Sequence, residues 1–340
     1  TLKTLNPERT LIVISSKSFS TLETMVNAKA AISWLQGSVK NGLEKHLVAI
    51  TCMPEKPKTY GISDDRVFSF SNYIGGRYSI WGPVGLPLML AIGPKWFEEF
   101  LKGAELMDKH FLEKDLERNL PVVMASVGIW HRNICNYTTR AILPYENRLA
   151  KLPSYLQQLD MESNGKSCST ENDSLSVDTV PVVWGEVGTN GQHAFYQALH
   201  QGTSIIPCEF LIAAKNHESN LSDRHELLIA NCLAQSEALM QGHFSSQKFK
   251  DLPGNRPSTT IVYSKLTPKV LGSLLALFEH RTFVEGIVWG INSFDQWGIE
   301  FGKKISEELV PLIRKKTTKK LKNASTAGLL SKILQIGTES

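Results

Sequence analysis

Short apolar runs alternate along this chain with longer stretches of helical pattern, and few architectures accept that order. Thr10–Ser15 reads TLIVIS and His46–Thr51 reads HLVAIT; Val180–Trp184, Ser204–Leu211 and Thr259–Ser264 (TTIVYS) continue the series. The continuous apolar run at Thr10–Ser15 suits a strand buried on both faces, and the others read as strands. Between them, Lys95–Leu112 carries Phe97, Phe100, Leu101 and Ala104 at helical spacing. Helices are also expected over Leu149–Met161 (bent at Pro153), Gly191–Gln201, Ser222–Gln241, Thr267–Glu279, Gln296–Leu312 and Ala327–Leu334. After the first run, Ser20 and Glu23 form a capping-box pattern. The helix beyond them, to about Gln36, sets Leu22, Met25, Val26, Ala30 and Leu35 on one stripe. The polar stretch Ser163–Asp178 reads as a loop. Strand–helix alternation predicts an α/β fold, parallel sheets flanked by helices.

Composition bounds the function classes. A chain of 340 residues suggests two domains, and hydrophobic residues at 42% are too many for disorder. Apolar runs such as Leu11–Ile14 and Val122–Ala125 are strand-sized, far short of the ~18 residues a spanning helix needs. Net charge is only +4, and the basic cluster from Arg314 to Lys322 lacks interleaved aromatics, so a solvated helix end fits better than a nucleic-acid patch. The cysteines at 52, 135, 168, 208 and 232 include no CxxC pair, which points to a reducing compartment, the cytoplasm, with Cys135, Cys208 and Cys232 as buried thiols. His225-Glu226 lacks the second His of HExxH, and no metal site is expected.

In open α/β sheets ligands bind beyond the carboxyl ends of strands, so chemistry is sought in strand-to-helix loops. Ser15-Ser16-Lys17-Ser18-Phe19-Ser20-Thr21 sets five hydroxyls and a lysine at a helix start, where free N–H groups attract anions; a phosphate cradle competes with a plain capped helix start. Gly75-Gly76 brings backbone close to a ligand or permits positive φ, and presents Arg77 either to a developing oxyanion or simply to solvent from a tight turn. Gln158 and Glu162 stand four apart on one helix face, with Glu162 at a last turn whose carbonyl ends disfavour a carboxylate; it is a candidate general base or a solvated terminal Glu. Trp184–His193 follows a strand and opens a helix with His193 in its first turn, a place for a proton shuttle. Gln296 and Lys303 are seven apart, two helical turns, although Glu300 and Lys303 also permit a surface ion pair.

Together these segments become specific. Ile74-Gly-Gly-Arg-Tyr-Ser-Ile-Trp81, Met161-Glu-Ser-Asn-Gly-Lys166, Trp184-Gly-Glu followed by Gly188-Thr-Asn-Gly-Gln-His193, Leu233-Ala-Gln-Ser-Glu-Ala-Leu-Met240 and Phe294-Asp-Gln-Trp-Gly298 stand in an order that resembles the glucose-6-phosphate isomerase family from the opening strand to the C-terminal helix. The resemblance implies two sugar-isomerase (SIS, flavodoxin-like) domains, reversible aldose–ketose isomerisation of sugar phosphates, and neither metal nor redox cofactor. It implies that Glu162 carries a proton between C2 and C1 through a cis-enediol. His193 and Lys303 then assist ring opening, and Arg77 stabilises the enediolate. Ser16, Lys17, Ser18, Thr21 and Gly76 belong to the phosphate and backbone-contact set, with Ser18 and Ser20 where the family commonly has Thr, and Gln158 and Gln296 contact substrate. Glu186, in the most conspicuous motif, is not the implied base.

A homodimer is implied too, with His193 contributed across the interface, and no nucleic-acid or membrane partner. The expected division is 1–93 for part of a smaller domain, 94–312 for a larger one and 313–340 for a helical tail. Family members carry a region ahead of the strand at Thr10 that includes a Gly-Gly-Ser phosphate segment. The first domain is therefore expected to be incomplete, and the sequence to be the C-terminal portion of a longer chain. The alternatives are a non-catalytic sugar-phosphate-binding regulatory module on the same fold and a secreted signalling role.

Overall fold

The computed structural model describes residues 2–318 and 321–337 and falls into two compact units, Thr1–Ser293 and Phe294–Ser340. In the first unit, β1 (Ile12–Ser15), β2 (Leu47–Thr51) and β3 (Val67–Ser69) form a parallel sheet in the order β1-β2-β3, and α1 (Leu22–Gln36) links the first two. β2 reads LVAIT and is buried throughout, as a run covered on both faces must be. β1 stands at one end of this order and is only partly buried, so the two-sided burial expected for it is not met. The capping box is not formed either. Thr21 is the N-cap, with no side-chain bond, and Ser20 Oγ donates instead to Ser18 Oγ at 2.8 Å. The buried residues of α1 are Met25, Ala28 and Leu35, within about 80° of one another round the helix, whereas Leu22 and Val26 are exposed.

After α2 (Leu86–Ile92), α3 (Pro94–Glu113) and α4 (Leu120–Ile129) comes the second parallel sheet. It contains β4 (Thr139–Pro144), β5 (Val182–Gly185), β6 (Cys208–Ala213) and β7 (Ser258–Tyr263) in the order β5-β4-β6-β7. The apolar run at Val122–Ala125, strand-sized on inspection, is helical inside α4: Asn119 caps it and Pro121 occupies its first turn. β4 lies inside the sheet and was not foreseen, because TRAILP carries a charge at its second residue. Its side chains alternate as strand geometry demands. Ile142 joins Phe97, Phe100, Leu156, Leu159 and Phe278 on one face, while Ala141 and Leu143 join Tyr145, Phe210, Cys232 and Leu239 on the other.

The connections depart from simple α-helices. α5 spans only Leu152–Leu156, with Pro153 in its first turn rather than at a bend, and continues as a π-helix over Gln157–Glu162. The helix expected over Gly191–Gln201 is two short pieces, α6 (Gly188–Gln192) and α7 (Tyr196–Gln201). Gly185 has φ +153°, and a Cβ there would lie 2.0 Å from the Ile142 carbonyl oxygen, which fixes glycine at the exit of β5. α8 covers Ser222–Gln241, and α9 (Pro268–Val288) runs well past the expected Glu279 to supply one wall of the larger core.

The second unit contains α10 (Glu300–Arg314) and α11 (Ala324–Ile336). Lys319 and Lys320 of the basic cluster lie outside the described residues. Among those described, no helix is long and apolar enough to cross a membrane. Cys208 and Cys232 are buried, but Cys135 is half-exposed, because it follows the π-turn that ends the α4 segment rather than sitting under a sheet.

Within the larger core Glu279 accepts from Trp81 Nε1 at 2.8 Å and Tyr155 Oη at 3.2 Å. Burial, helped by Asp108 and opposed by those two hydrogen bonds, pushes its carboxyl from 4.5 up to about 7. The folded protein thus holds a proton that the unfolded chain has released between those values, so this group makes stability fall as pH rises through the window from about 4.5 to 7. Thermal melts of Glu279→Gln against wild type should therefore favour the variant progressively from about pH 5 to about pH 8; a constant difference would contradict this.

Candidate active site

The first loaded loop leaves β1 and turns at Phe19, whose φ of +48° is uncommon for a side-chain-bearing residue. Phe19 is buried, with its ring edge-on to Tyr60 at 5.6 Å, and that packing holds the turn. The loop backbone is tied down from behind: Cys52 N and Thr51 Oγ1 both donate to the Lys17 carbonyl at 3.0 Å, and Lys56 Nζ donates to the Ser18 carbonyl at 2.7 Å. Hydroxyls gather at the start of α1, with Ser16 Oγ 3.1 Å from Thr21 Oγ1. Because Thr21 makes no cap bond, the first amides of this fifteen-residue helix remain available to an anion. Lys17 is exposed beside them.

Gly75 and Gly76 do not adopt positive φ; a Cβ on Gly76 would meet nothing within 4 Å, so open space lies beside that glycine, whereas one on Gly75 would touch the Tyr78 ring at 3.7 Å. Arg77 is not a surface residue. It is 5% exposed, its Nε donates to Ser163 Oγ at 2.6 Å, its Nη2 donates to the Ser293 carbonyl at 2.6 Å, and its Nη1 lies 3.3 Å from Glu162 Oε2. Tyr78 Oη is 2.8 Å from the same Ser163 hydroxyl, and burial pushes this phenol up to about 12, keeping it protonated.

Glu162 closes the π-helix, and Gln158 Nε2 donates to its Oε2 at 3.1 Å, so the shared face expected from the spacing is present. The carbonyl ends beside it are not bare: Lys166 Nζ donates to the Glu162 carbonyl at 3.0 Å and to that of Ser163 at 2.6 Å. Position is the larger surprise. Asp160 faces Arg140, the second residue of β4, and Val183 N, in the second residue of β5, meets Met161 Sδ at 3.5 Å. Glu162 therefore lies towards the amino ends of the second sheet, not beyond its carboxyl ends. Its partner Arg77 comes from the loop after β3, the carboxyl side of the first sheet. The Glu162–Arg77 pair is thus brought together from segments attached to the two different sheets.

His193 is placed elsewhere. It caps the C-terminus of α6 and is exposed, and α6 packs at the opposite end of β4, where Gly188 abuts the Tyr145 ring. Among the described residues no contact joins it to Glu162 or Arg77. Glu186 is exposed in the same loop. In the second unit Gln296 precedes a short turn (Trp297–Ile299) and stands outside α10, so it and Lys303 are not two turns apart on one helix. Lys303 Nζ makes the local ion pair with Glu300 Oε1 at 2.8 Å.

The phosphoglucose isomerase family pattern matches residues 1–330. The chain belongs to this family. Among curated relatives, the glucose-6-phosphate isomerase of Ruegeria sp. (strain TM1040) is 53% identical over 348 residues, covering 97% of this chain and 65% of the relative. That of Chelativorans sp. (strain BNC1) is 51% identical over 353 residues, covering 98% and 65%. Among solved structures, a glucose-6-phosphate isomerase from Chlamydia trachomatis D/UW-3/Cx superposes with a TM-score of 0.88 at 38% identity, over 98% of this chain and 64% of that one. The chain thus spans just under two thirds of the length of these phosphoglucose isomerase relatives.

Sequence reasoning missed the residues that hold this family's motif in place here. Arg140 and Arg281, both buried, face Asp160, Glu209 and Glu285 between the sheet and α9. The available signal was weak: single charges inside the apolar runs TRAILP and CEFLIA.

Proposed function

We propose that the protein carrying this chain interconverts glucose 6-phosphate and fructose 6-phosphate. The observation that carries the proposal is the Glu162–Arg77 pair, a half-buried carboxylate 3.3 Å from a buried guanidinium within the motifs of a phosphoglucose isomerase. After ring opening, Glu162 takes the proton from C2 and returns it to C1, while the electrons pass through a cis-enediol. One carboxylate serves both carbons because they are adjacent. Arg77, always charged, stabilises the negative oxygen of the enediolate. Gln158 steers Glu162 through its hydrogen bond and contacts substrate, as does Gln296.

The sugar's phosphate is assigned to Ser16, Lys17, Ser18 and Thr21 with the open amides of α1, and Gly76 admits the sugar close to backbone. Remote binding energy of this kind orients the reacting carbons. His193 and Lys303 are assigned to ring opening. His193 and Glu162 lie at opposite ends of the second sheet, which favours a homodimer in which one copy's His193 serves its partner's site. Free thiols at all five cysteines fit a cytoplasmic setting. A division at 1–93, 94–312 and 313–340 fits α3 packing into the second sheet's core; residues 319, 320 and 338–340 of that tail lie outside the described residues.

A coupled assay for fructose 6-phosphate on the intact protein tests the proposal, and absence of turnover would contradict it. His193→Ala should slow the cyclic sugar by about 10²-fold and an open-chain phosphorylated analogue much less. Equal losses on both would remove the ring-opening role.

A further inference from the structure

The stretch 160–164 carries Glu162 as its middle residue, and its four neighbours include three that are fully buried: Asp160, Ser163 and Asn164. Both ends of the stretch reach the same residue of α9. Thr282 Oγ1 lies 2.6 Å from Asp160 Oδ1, and Asn164 Nδ2 donates to the Thr282 carbonyl at 2.9 Å. The Thr282 hydroxyl is also 2.9 Å from the Phe278 carbonyl, but the carboxylate is the nearer and stronger acceptor for its single proton. Thr282 is itself 0% exposed.

The surroundings leave this clamp little freedom. Arg281 Nη2 holds Asp160 Oδ2 at 2.7 Å and is itself gripped by both oxygens of Glu209 at 2.8 Å. Ser293 Oγ donates to Asn164 Oδ1 at 2.6 Å, and Gly286 makes room for that pair, since a Cβ there would lie 2.0 Å from Ser293 Oγ. Arg77, which faces Glu162, is fixed to the Ser163 hydroxyl and the Ser293 carbonyl. Burying so many charges adds little net stability, because desolvation offsets their attraction. A π-helix, moreover, persists only where its environment holds it. The π-helix ends at Glu162, and the clamp brackets it on both sides.

We propose that Thr282 is a positioning residue for Glu162: it bolts Asp160 and Asn164 to α9, so that the carboxylate between them is held at the reacting carbons and against Arg77. The proposal rests on the isomerase reading above and adds to it a residue 120 positions distant that touches no substrate. A displacement of about 1 Å at a reacting group costs on the order of 10²-fold in rate, and loss of the hydroxyl is the smallest change that releases Asp160 Oδ1 from Thr282 while Arg281 keeps Oδ2.

The test compares Thr282→Val and Thr282→Ser in the intact protein. The valine keeps the volume and removes the hydroxyl; the serine restores it. Thr282→Val should lower kcat by about 10²-fold with KM and 6-phosphogluconate binding within a few-fold of wild type. It should also raise the isotope effect from C2-deuterated glucose 6-phosphate, as proton transfer becomes slower than the other steps. Thr282→Ser should recover most of the rate. Should the valine variant not fold, Ser293→Ala removes one of the two hydrogen bonds that hold the Asn164 side chain, leaving that to the Thr282 carbonyl, and should lower kcat by about tenfold with the same rise in isotope effect. A melting temperature that falls while kcat and the isotope effect stay at wild-type values overturns the proposal, as does an equal loss in the valine and serine variants. A wild type without turnover contradicts the isomerase reading and this inference with it.

Discussion

Glu162→Gln is expected to turn over glucose 6-phosphate at least about 10³-fold more slowly than the wild-type protein, while 6-phosphogluconate binds within a few-fold of normal. The substitution keeps size and shape. The amide oxygen still accepts from Arg77, which stands 3.3 Å away, and an amide is too weak a base to remove a proton from carbon. With the sugar's phosphate assigned to the start of α1 under the proposed function, far along the chain from residue 162, affinity and turnover should separate. Near-normal turnover in the variant would remove Glu162 from the role of base, and a parallel loss of binding would make it a structural residue.

Arg281→Met is expected to cost about 3–5 kcal/mol of stability, a drop in Tm of roughly 4–7 °C for a chain of this length. Arg281 is fully buried, 2.7 Å from Asp160 and 2.8 Å from Glu209, and its guanidinium carbon lies 4.8 Å from the centroid of the Phe278 ring. Methionine would fill much of the volume but leave two buried carboxylates facing Glu285 with Arg140 as their remaining cation. Burial already pushes the Glu285 carboxyl up against the pull of Arg140 and Arg281, and removal of Arg281 takes away one of the two cations that oppose it. Thermal or urea unfolding measures the loss. A change within about 0.5 kcal/mol, the range of ordinary surface substitutions, would show that the buried carboxylates do not need Arg281 as a counter-charge.

How much could be read beforehand follows from the distance over which each feature is written. β2 and α8 were legible because continuous apolar burial and helical period are local. β4 was hidden by Arg140, whose partners Asp160, Glu209 and Glu285 are brought together only by the fold. The hydrogen bond between Gln158 and Glu162 was legible because both lie within one helical turn; the Thr282 clamp was not, since its partners stand 122 and 118 residues away. The rule that sites lie beyond the carboxyl ends of strands points to the loop after β1 and to the turn at Arg77, which follow strands of the first sheet. It does not point to Glu162, which stands at the end of the helical segment between β4 and β5. Likewise the pairing of Gln296 with Lys303 failed because α10 begins at Glu300, four residues after the glutamine.

The most direct measurement follows the label from glucose 6-phosphate deuterated at C2 through turnover by the intact protein. A single carboxylate that lifts the proton and returns it should yield fructose 6-phosphate with deuterium partly at C1 and partly exchanged into water. No fructose 6-phosphate, or product that retains the whole label at C1 under every condition, as a direct hydride shift would leave it, would contradict proton transfer by Glu162.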